Sequence, residues 1–325
     1  MIKNEFVRRE EMPKEETGKL IDVHAFPIQK CLPILLKDRT TDKNIIWATD
    51  AYSDLGKRLS DRNQITEERI LGVHAVGLQP RILKAKEEQQ KRTKKRAEVF
   101  TPAWLCCLMN NYVDEEWFGR KDVFNVLHED HSWDVVQDKI WFPEGKTWKD
   151  YVKSPRLEIT CGEAPFLVSR YDTASGELIV PPVNRIGLLD RKMRIVNENA
   201  KDYAEWRQWA RKAYQSCYGF EFQGDSLLIA RINMLLSYCD YFRECWGKDP
   251  DIRTVKSIAE IISWNLWQMD GLKDTVPIGE PILELEQLSL FEPFDNTEED
   301  PEELFCKIKD WRAGKVRFYK DLKEK

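Results

Sequence analysis

The chain has 325 residues, 42% of them hydrophobic, enough to fill a sizeable core in about two domains and too much for a stapled mini-scaffold or a disordered chain. Charged residues make up 33%, yet 51 basic against 56 acidic ones leave a formal net charge of −5, so any nucleic-acid-binding surface has to be local. Eight cysteines at irregular spacings, two of them adjacent (Cys106 and Cys107), read as reduced thiols; with a charged start and no run of about 18 apolar residues, they point to a soluble, cytoplasmic protein without a membrane partner.

No internal repeat is present. Residues 84–96 are strongly basic and free of Gly and Pro, which predicts a helix or helical connector closing an N-terminal region, 1–96. Its first reading is a solvated face, its second a contact with DNA phosphates. Cys106 and Cys107 read as buried helix residues on different faces. His128 and His131 flank Asp130 at a spacing that could hold a metal, but no second pair of Cys or His completes a tetrahedral set, so no metal is expected. Residues 156–160 form a strand candidate running into Cys161-Gly162. Tyr203, Trp206, Ala210, Ala213, Tyr214 and Cys217 recur at three- and four-residue steps, predicting an amphipathic helix over 202–217. Residues 218–222 read as a buried strand, 227–241 and 257–263 as helices, and 265–268 as a third strand ending at Asp270-Gly271. Residues 97–279 are therefore expected to form one α/β domain in half-Rossmann order, with ligands beyond the carboxyl ends of the strands. Residues 280–303 hold ten acidic residues, no basic one and three prolines, predicting a loop; the basic, amphipathic stretch 304–325 completes a tail, 280–325.

The residues at those strand ends carry the chemistry. Glycine in the turn Cys161-Gly162-Glu163-Ala164 lets backbone N–H groups approach a ligand closely. Glu221, closing the second strand, can accept hydrogen bonds from both hydroxyls of a ribose, and Asp270, closing the third, from an adenine amino group. Each has a plainer reading on its own: a loop turn, a solvent-facing charge, an ordinary Asp-Gly turn. Thr101-Pro102 likewise reads as a helix start, with threonine as cap and proline in the first turn.

Together these segments resemble the amino-type DNA methyltransferases, most closely the adenine-N6 enzymes of bacterial restriction–modification systems, from about residue 98 to 272. Glu98-Val99-Phe100-Thr101-Pro102 is similar to the family's first cofactor motif. Leu157-Glu158-Ile159-Thr160-Cys161-Gly162-Glu163-Ala164-Pro165-Phe166 resembles its acid-Pro-x-Cys-Gly-x-Gly-x-Phe loop, with Ile159 in place of proline and Ala164 in place of the second glycine. Tyr218-Gly219-Phe220-Glu221, with Ala230-Arg231-Ile232-Asn233 on the following helix, is similar to the ribose-binding motif, and Asn265-Leu266-Trp267-Gln268-Met269-Asp270-Gly271-Leu272 to the adenine-contacting one. The resemblance implies a Rossmann-like S-adenosylmethionine-dependent methyltransferase fold with an N-terminal extension. It implies a cofactor site at Phe100, Thr101, Pro102, Glu158, Thr160, Cys161, Gly162, Phe166, Glu221, Phe222, Asp270 and Gly271. Its implied partners are double-stranded DNA and a second methyltransferase or restriction subunit. The stretch Lys43-Asn44-Ile45-Ile46-Trp47-Ala48-Thr49-Asp50 also resembles restriction-system modification subunits, without an assignable chemistry.

The family's catalytic motif, Asn or Asp followed by Pro-Pro and an aromatic residue, is missing after Asp270. Transfer to an exocyclic amine needs an oxygen pair to accept its hydrogens and a ring to stack on the flipped base. Pro181-Pro182 lies between valines ahead of the second motif, and Asp310-Trp311 has the acid and the ring without the prolines. Catalytic residues stay unassigned. The expectation is a cofactor-binding, adenine-N6 DNA methyltransferase-like protein that needs a partner or further sequence for catalysis. The alternative is a non-catalytic DNA- or partner-binding protein on a degenerate methyltransferase fold. No Asp…Glu-x-Lys pattern supports a nuclease.

Overall fold

The computed structural model describes residues 20–52, 56, 59–84, 101–278 and 304–323 as a mixed α/β structure. Three parallel strands lie at its centre: β3 (Arg156–Glu158), β4 (Cys217–Glu221) and β5 (Leu266–Gln268), side by side in that order. A short antiparallel pair, β1 (Asn125–Leu127) and β2 (Trp133–Val135), precedes them, and β6 (Lys307–Asp310) pairs with β7 (Lys315–Phe318) behind them. Parallel neighbours need long crossovers, and helices supply both. Helices α5 (Leu188–Asn199) and α6 (Tyr203–Gln215) link β3 to β4; α7 (Gly224–Trp246) and α8 (Ile252–Asn265) link β4 to β5. Ahead of the sheet come α1 (Ile28–Leu36), α2 (Glu67–Leu71), α3 (Ala103–Phe118) and α4 (Trp148–Lys153).

Local chemistry sets these boundaries. Asp202 caps α6 by accepting from Glu205 N at 2.8 Å, while Trp206, Trp209, Ala210, Ala213 and Tyr214 turn inward at helical spacing. Asp251 caps α8 through Thr254 N at 3.0 Å, so that helix begins five residues before the expected start. Helix α7 runs 23 residues and ends at Gly247 in the left-handed conformation. The strands alternate between two clusters: Cys217 and Leu266 face the helices, whereas Phe220 and Trp267 pack on the other side against Ile308 and Tyr319. The basic stretch after residue 303 is accordingly a hairpin followed by the short 3-10 turn Lys320–Leu322. Of the basic run 84–96 only Lys84 lies within the described residues, and the acidic stretch 280–303 lies outside them.

One hydrophobic cluster extends from Ile21 and Leu36 through Trp47 and Ile65 to Leu235 and Leu266, so residues 20–84 share a core with the sheet. All eight cysteines are free thiols. Among the described residues no helix is long and apolar enough to cross a membrane.

Candidate functional site

The turn after β3 and the end of β4 meet directly. Gly162 N donates to Glu221 Oε2 at 2.8 Å, and Cys161 N donates to Phe220 O at 2.8 Å. Gly162 is left-handed (φ +54°), and a Cβ built there would find no heavy atom within 4 Å. The bend therefore faces open space beside a carboxylate. Its neighbours share the strained geometry: Thr160 has φ +44° and Ala164 φ +63°, so alanine occupies the left-handed position for which the resembled family uses glycine. Ala164 is fully buried in the main cluster.

Glu158 does not point at the bend. Its carboxylate accepts from Phe166 N at 3.3 Å and Leu167 N at 3.1 Å, closing the loop on itself. Burial pushes its pKa up to about 8, the two backbone N–H groups opposing that rise and the Glu221 charge adding to it. Burial also drives the Cys161 thiol well up, with both carboxylates contributing, so the thiol is inert at neutral pH. Glu221 spends its second oxygen on Gln223 N at 3.1 Å.

The other expected residues divide. Asp270 stands one residue beyond Met269, whose N–H reaches Glu221 O at 3.0 Å, so its backbone is at the same strand ends. Its carboxylate accepts from Leu272 N at 3.0 Å and Lys273 N at 3.4 Å, stabilising an Asp-Gly turn. Gly271 is needed for packing, because a Cβ would lie 2.8 Å from the Phe220 ring. Phe222 O accepts from Gln268 Nε2 at 2.8 Å. Phe166 packs partly buried against Cys106, Cys107 and Ile186. Phe100 lies outside the described residues. The expected cap is shifted: Pro102 is the N-cap of α3, and Thr101 precedes the helix, its carbonyl accepting from Thr173 Oγ1 at 2.7 Å. Threonine cannot cap when proline takes the cap position in extended geometry, φ −62° and ψ 150°. Asn110 of α3 donates to Phe166 O at 3.0 Å and Ile186 O at 2.9 Å, tying that helix to the end of the loop after β3.

Three features of the site went unread in the sequence. Gln268 binds both sides of the Ile46 peptide, holding residues 44–48 across the end of β5. Asp225 receives Tyr52 OH at 2.9 Å and Lys84 Nζ at 3.1 Å in the interior. Glu163 accepts from Arg81 N at 2.7 Å and Tyr171 OH at 2.6 Å. Gly219, a bare glycine inside β4, is required by close packing, since a Cβ there would come 2.8 Å from Leu266 and 3.4 Å from Cys161.

Elsewhere, Asp310 accepts from Arg312 N and Ala313 N at 3.0 Å and holds the hairpin turn, while Trp311 Nε1 donates to Asn265 Oδ1 at 2.6 Å and ties that turn to the end of α8. His128 pairs with Asp134 at 2.9 Å and His131 stacks on Trp104 with centroids 4.0 Å apart; among the described residues no group of three His, Cys, Asp or Glu could hold a metal. No family model, curated protein or solved structure matches the chain.

Proposed function

We propose that the chain binds S-adenosylmethionine on the carboxyl ends of β3, β4 and β5 and is an adenine-N6 DNA methyltransferase-like protein of a restriction–modification type system, built on a Rossmann-like methyltransferase fold. The observation that carries this reading is the Gly162 N–H aimed at Glu221 over 2.8 Å, at a bend with open space above it. An acid at the end of the second strand beside a glycine bend is the arrangement that receives a nucleoside in parallel α/β sheets. The residues fit the cofactor on charge as well: a sulfonium cation is favoured next to the buried Glu221 carboxylate. In this reading Glu221 accepts from the ribose hydroxyls, the backbone around Gly162 borders the amino-acid part, and Asp270 accepts from the adenine amino group. Double-stranded DNA is the proposed substrate, and a partner polypeptide or further sequence supplies the amine-accepting groups. Titration calorimetry with S-adenosylmethionine on the wild type, Glu221→Ala and Asp270→Ala tests it; equal heats from all three would remove the assignment.

A second reading, a DNA- or partner-binding protein without methyl transfer, is favoured by Asp310 and Trp311, the acid–aromatic pair nearest the expected catalytic position: Asp310 holds the β6–β7 turn and Trp311 is bonded to Asn265. Methylation assays on mixed-sequence duplex DNA, with and without the products of neighbouring genes, separate the two. Activity that appears only with a partner supports the first reading, and activity in neither condition supports the second.

A further inference from the structure

Between Thr160 and Ala164 every second residue is left-handed, and two of those three positions are not glycine. Such a backbone persists only where its surroundings over-determine it. Three carboxylates do so, in three directions. Glu158 ties the loop's far end at Phe166 and Leu167, and Glu221 holds Gly162 from β4. Glu163 faces away from both, toward the N-terminal region, where Arg81 N donates to one oxygen at 2.7 Å; Tyr171 OH donates to the other at 2.6 Å. The Tyr171 hydroxyl in turn accepts from Asn233 Nδ2 at 3.1 Å, and the same amide group donates to the Glu163 carbonyl at 3.2 Å. Side chain and carbonyl of Glu163 are thus joined in one closed ring that spans α7, the loop itself and residue 171, with the N-terminal region attached through Arg81.

We infer that Glu163 is a positioning residue: it clamps the bend at Gly162 to the segment around Arg81, so that the N-terminal region helps to set the shape of the cofactor site. The inference rests on the cofactor reading above for its functional consequence, whereas the clamp is a property of the chain alone. Glu163 touches no reacting group in this role; it acts through the orientation of the Gly162 N–H.

The backbone offers a selective test. Arg81 opens a 3-10 turn behind Pro80, whose φ of −50° and ψ of 146° suit a residue followed by proline. Arg81→Pro removes the N–H donor, and Arg81→Ala keeps it while removing the same side chain. On the full chain, S-adenosylmethionine dissociation constants and hydrogen exchange at the Gly162 amide are measured for both variants, alone and combined with Glu163→Ala. Arg81→Pro is expected to bind about tenfold more weakly than Arg81→Ala and to exchange Gly162 about tenfold faster, the size of losing one hydrogen bond to a charged group. In the Glu163→Ala background the two should be indistinguishable. Equal exchange at Gly162 in Arg81→Pro and Arg81→Ala would overturn the clamp. A wild type that gives no heat with S-adenosylmethionine would overturn the cofactor reading instead, with the exchange comparison still deciding on the clamp.

Discussion

The Gln268 side chain grips Ile46 by both edges of its backbone: Oε1 accepts from Ile46 N at 2.9 Å and Nε2 donates to Ile46 O at 2.9 Å. Beside it Gly224 N donates to Trp47 O at 2.9 Å. Residues 46 and 47 are therefore tied to the end of β5 and the first turn of α7.

Gly224 tests how tightly that ribbon is seated. A Cβ there would stand 1.9 Å from Ile46 O, a backbone atom that cannot rotate away. Gly224→Ala should destabilise the protein by about 3 kcal/mol, the upper part of the usual range for overpacking, although alanine is the better helix former. A urea midpoint equal to the wild type would mean that residues 44–48 do not hold this position in solution.

The Lys84–Asp225 pair poses a different question. Their side chains are 4% and 1% exposed at 3.1 Å, so both charges are desolvated. Removing one partner deprives the other of its 3.1 Å contact with an opposite charge in the interior, and Asp225→Ala or Lys84→Met should each cost about 3–5 kcal/mol. The double replacement Lys84→Met with Asp225→Leu should cost less than the sum, and less than the worse single change. Strict additivity in urea unfolding would show that each group is held by other contacts instead.

What could be read from the residues alone was the succession of strands and helices and the placement of Gly162 and Glu221 at strand ends, because strand periodicity and strand-end chemistry are both local, whereas their direct contact across 59 residues was not. Helix α5 was invisible for a physical reason. It is buried all round from Leu188 to Val196, with Asp190, Arg191, Lys192 and Arg194 among the buried residues, so polar side chains interrupt its hydrophobic rhythm. Arg191, for example, is taken up by Asp114 at 2.7 Å and Asn111 at 2.6 Å, partners 77 and 80 residues away that no window of sequence reveals. Glu158 and Asp270 illustrate the same limit. Their positions were legible, but whether a carboxylate serves a ligand or its own backbone depends on which N–H groups fold toward it.

Two buried acids give stability a pH dependence. Burial raises Glu158 from an ordinary 4.5 to about 8, and Asp190 from 3.8 to about 6, with Arg185 and Ser169 opposing the latter. Between the unfolded and folded values the native state holds more protons than the unfolded one, so stability falls as pH rises. The Glu158 contribution is complete below about pH 4.5 and lost by about pH 8, with a slope of at most about 1.4 kcal/mol per pH unit. Glu158→Gln should flatten that fall between pH 5 and 8 relative to the wild type. Parallel stability profiles for the two proteins would remove Glu158 as its source.

Gly162 separates folding from binding. Alanine there pays about 1–2 kcal/mol for a left-handed backbone, yet its Cβ meets no heavy atom within 4 Å, so the fold should survive with a modest loss. The same methyl group would project into the space where the proposed cofactor lies. Gly162→Ala should consequently weaken S-adenosylmethionine binding by at least tenfold, more than about 1.4 kcal/mol, while thermal melting changes little beyond the backbone penalty. Glu221→Ala should do the same for a different reason, since it removes the acceptor for Gly162 N and the proposed partner of the ribose together. If Gly162→Ala lost stability and kept full affinity, the open space above the bend would not be where the cofactor binds.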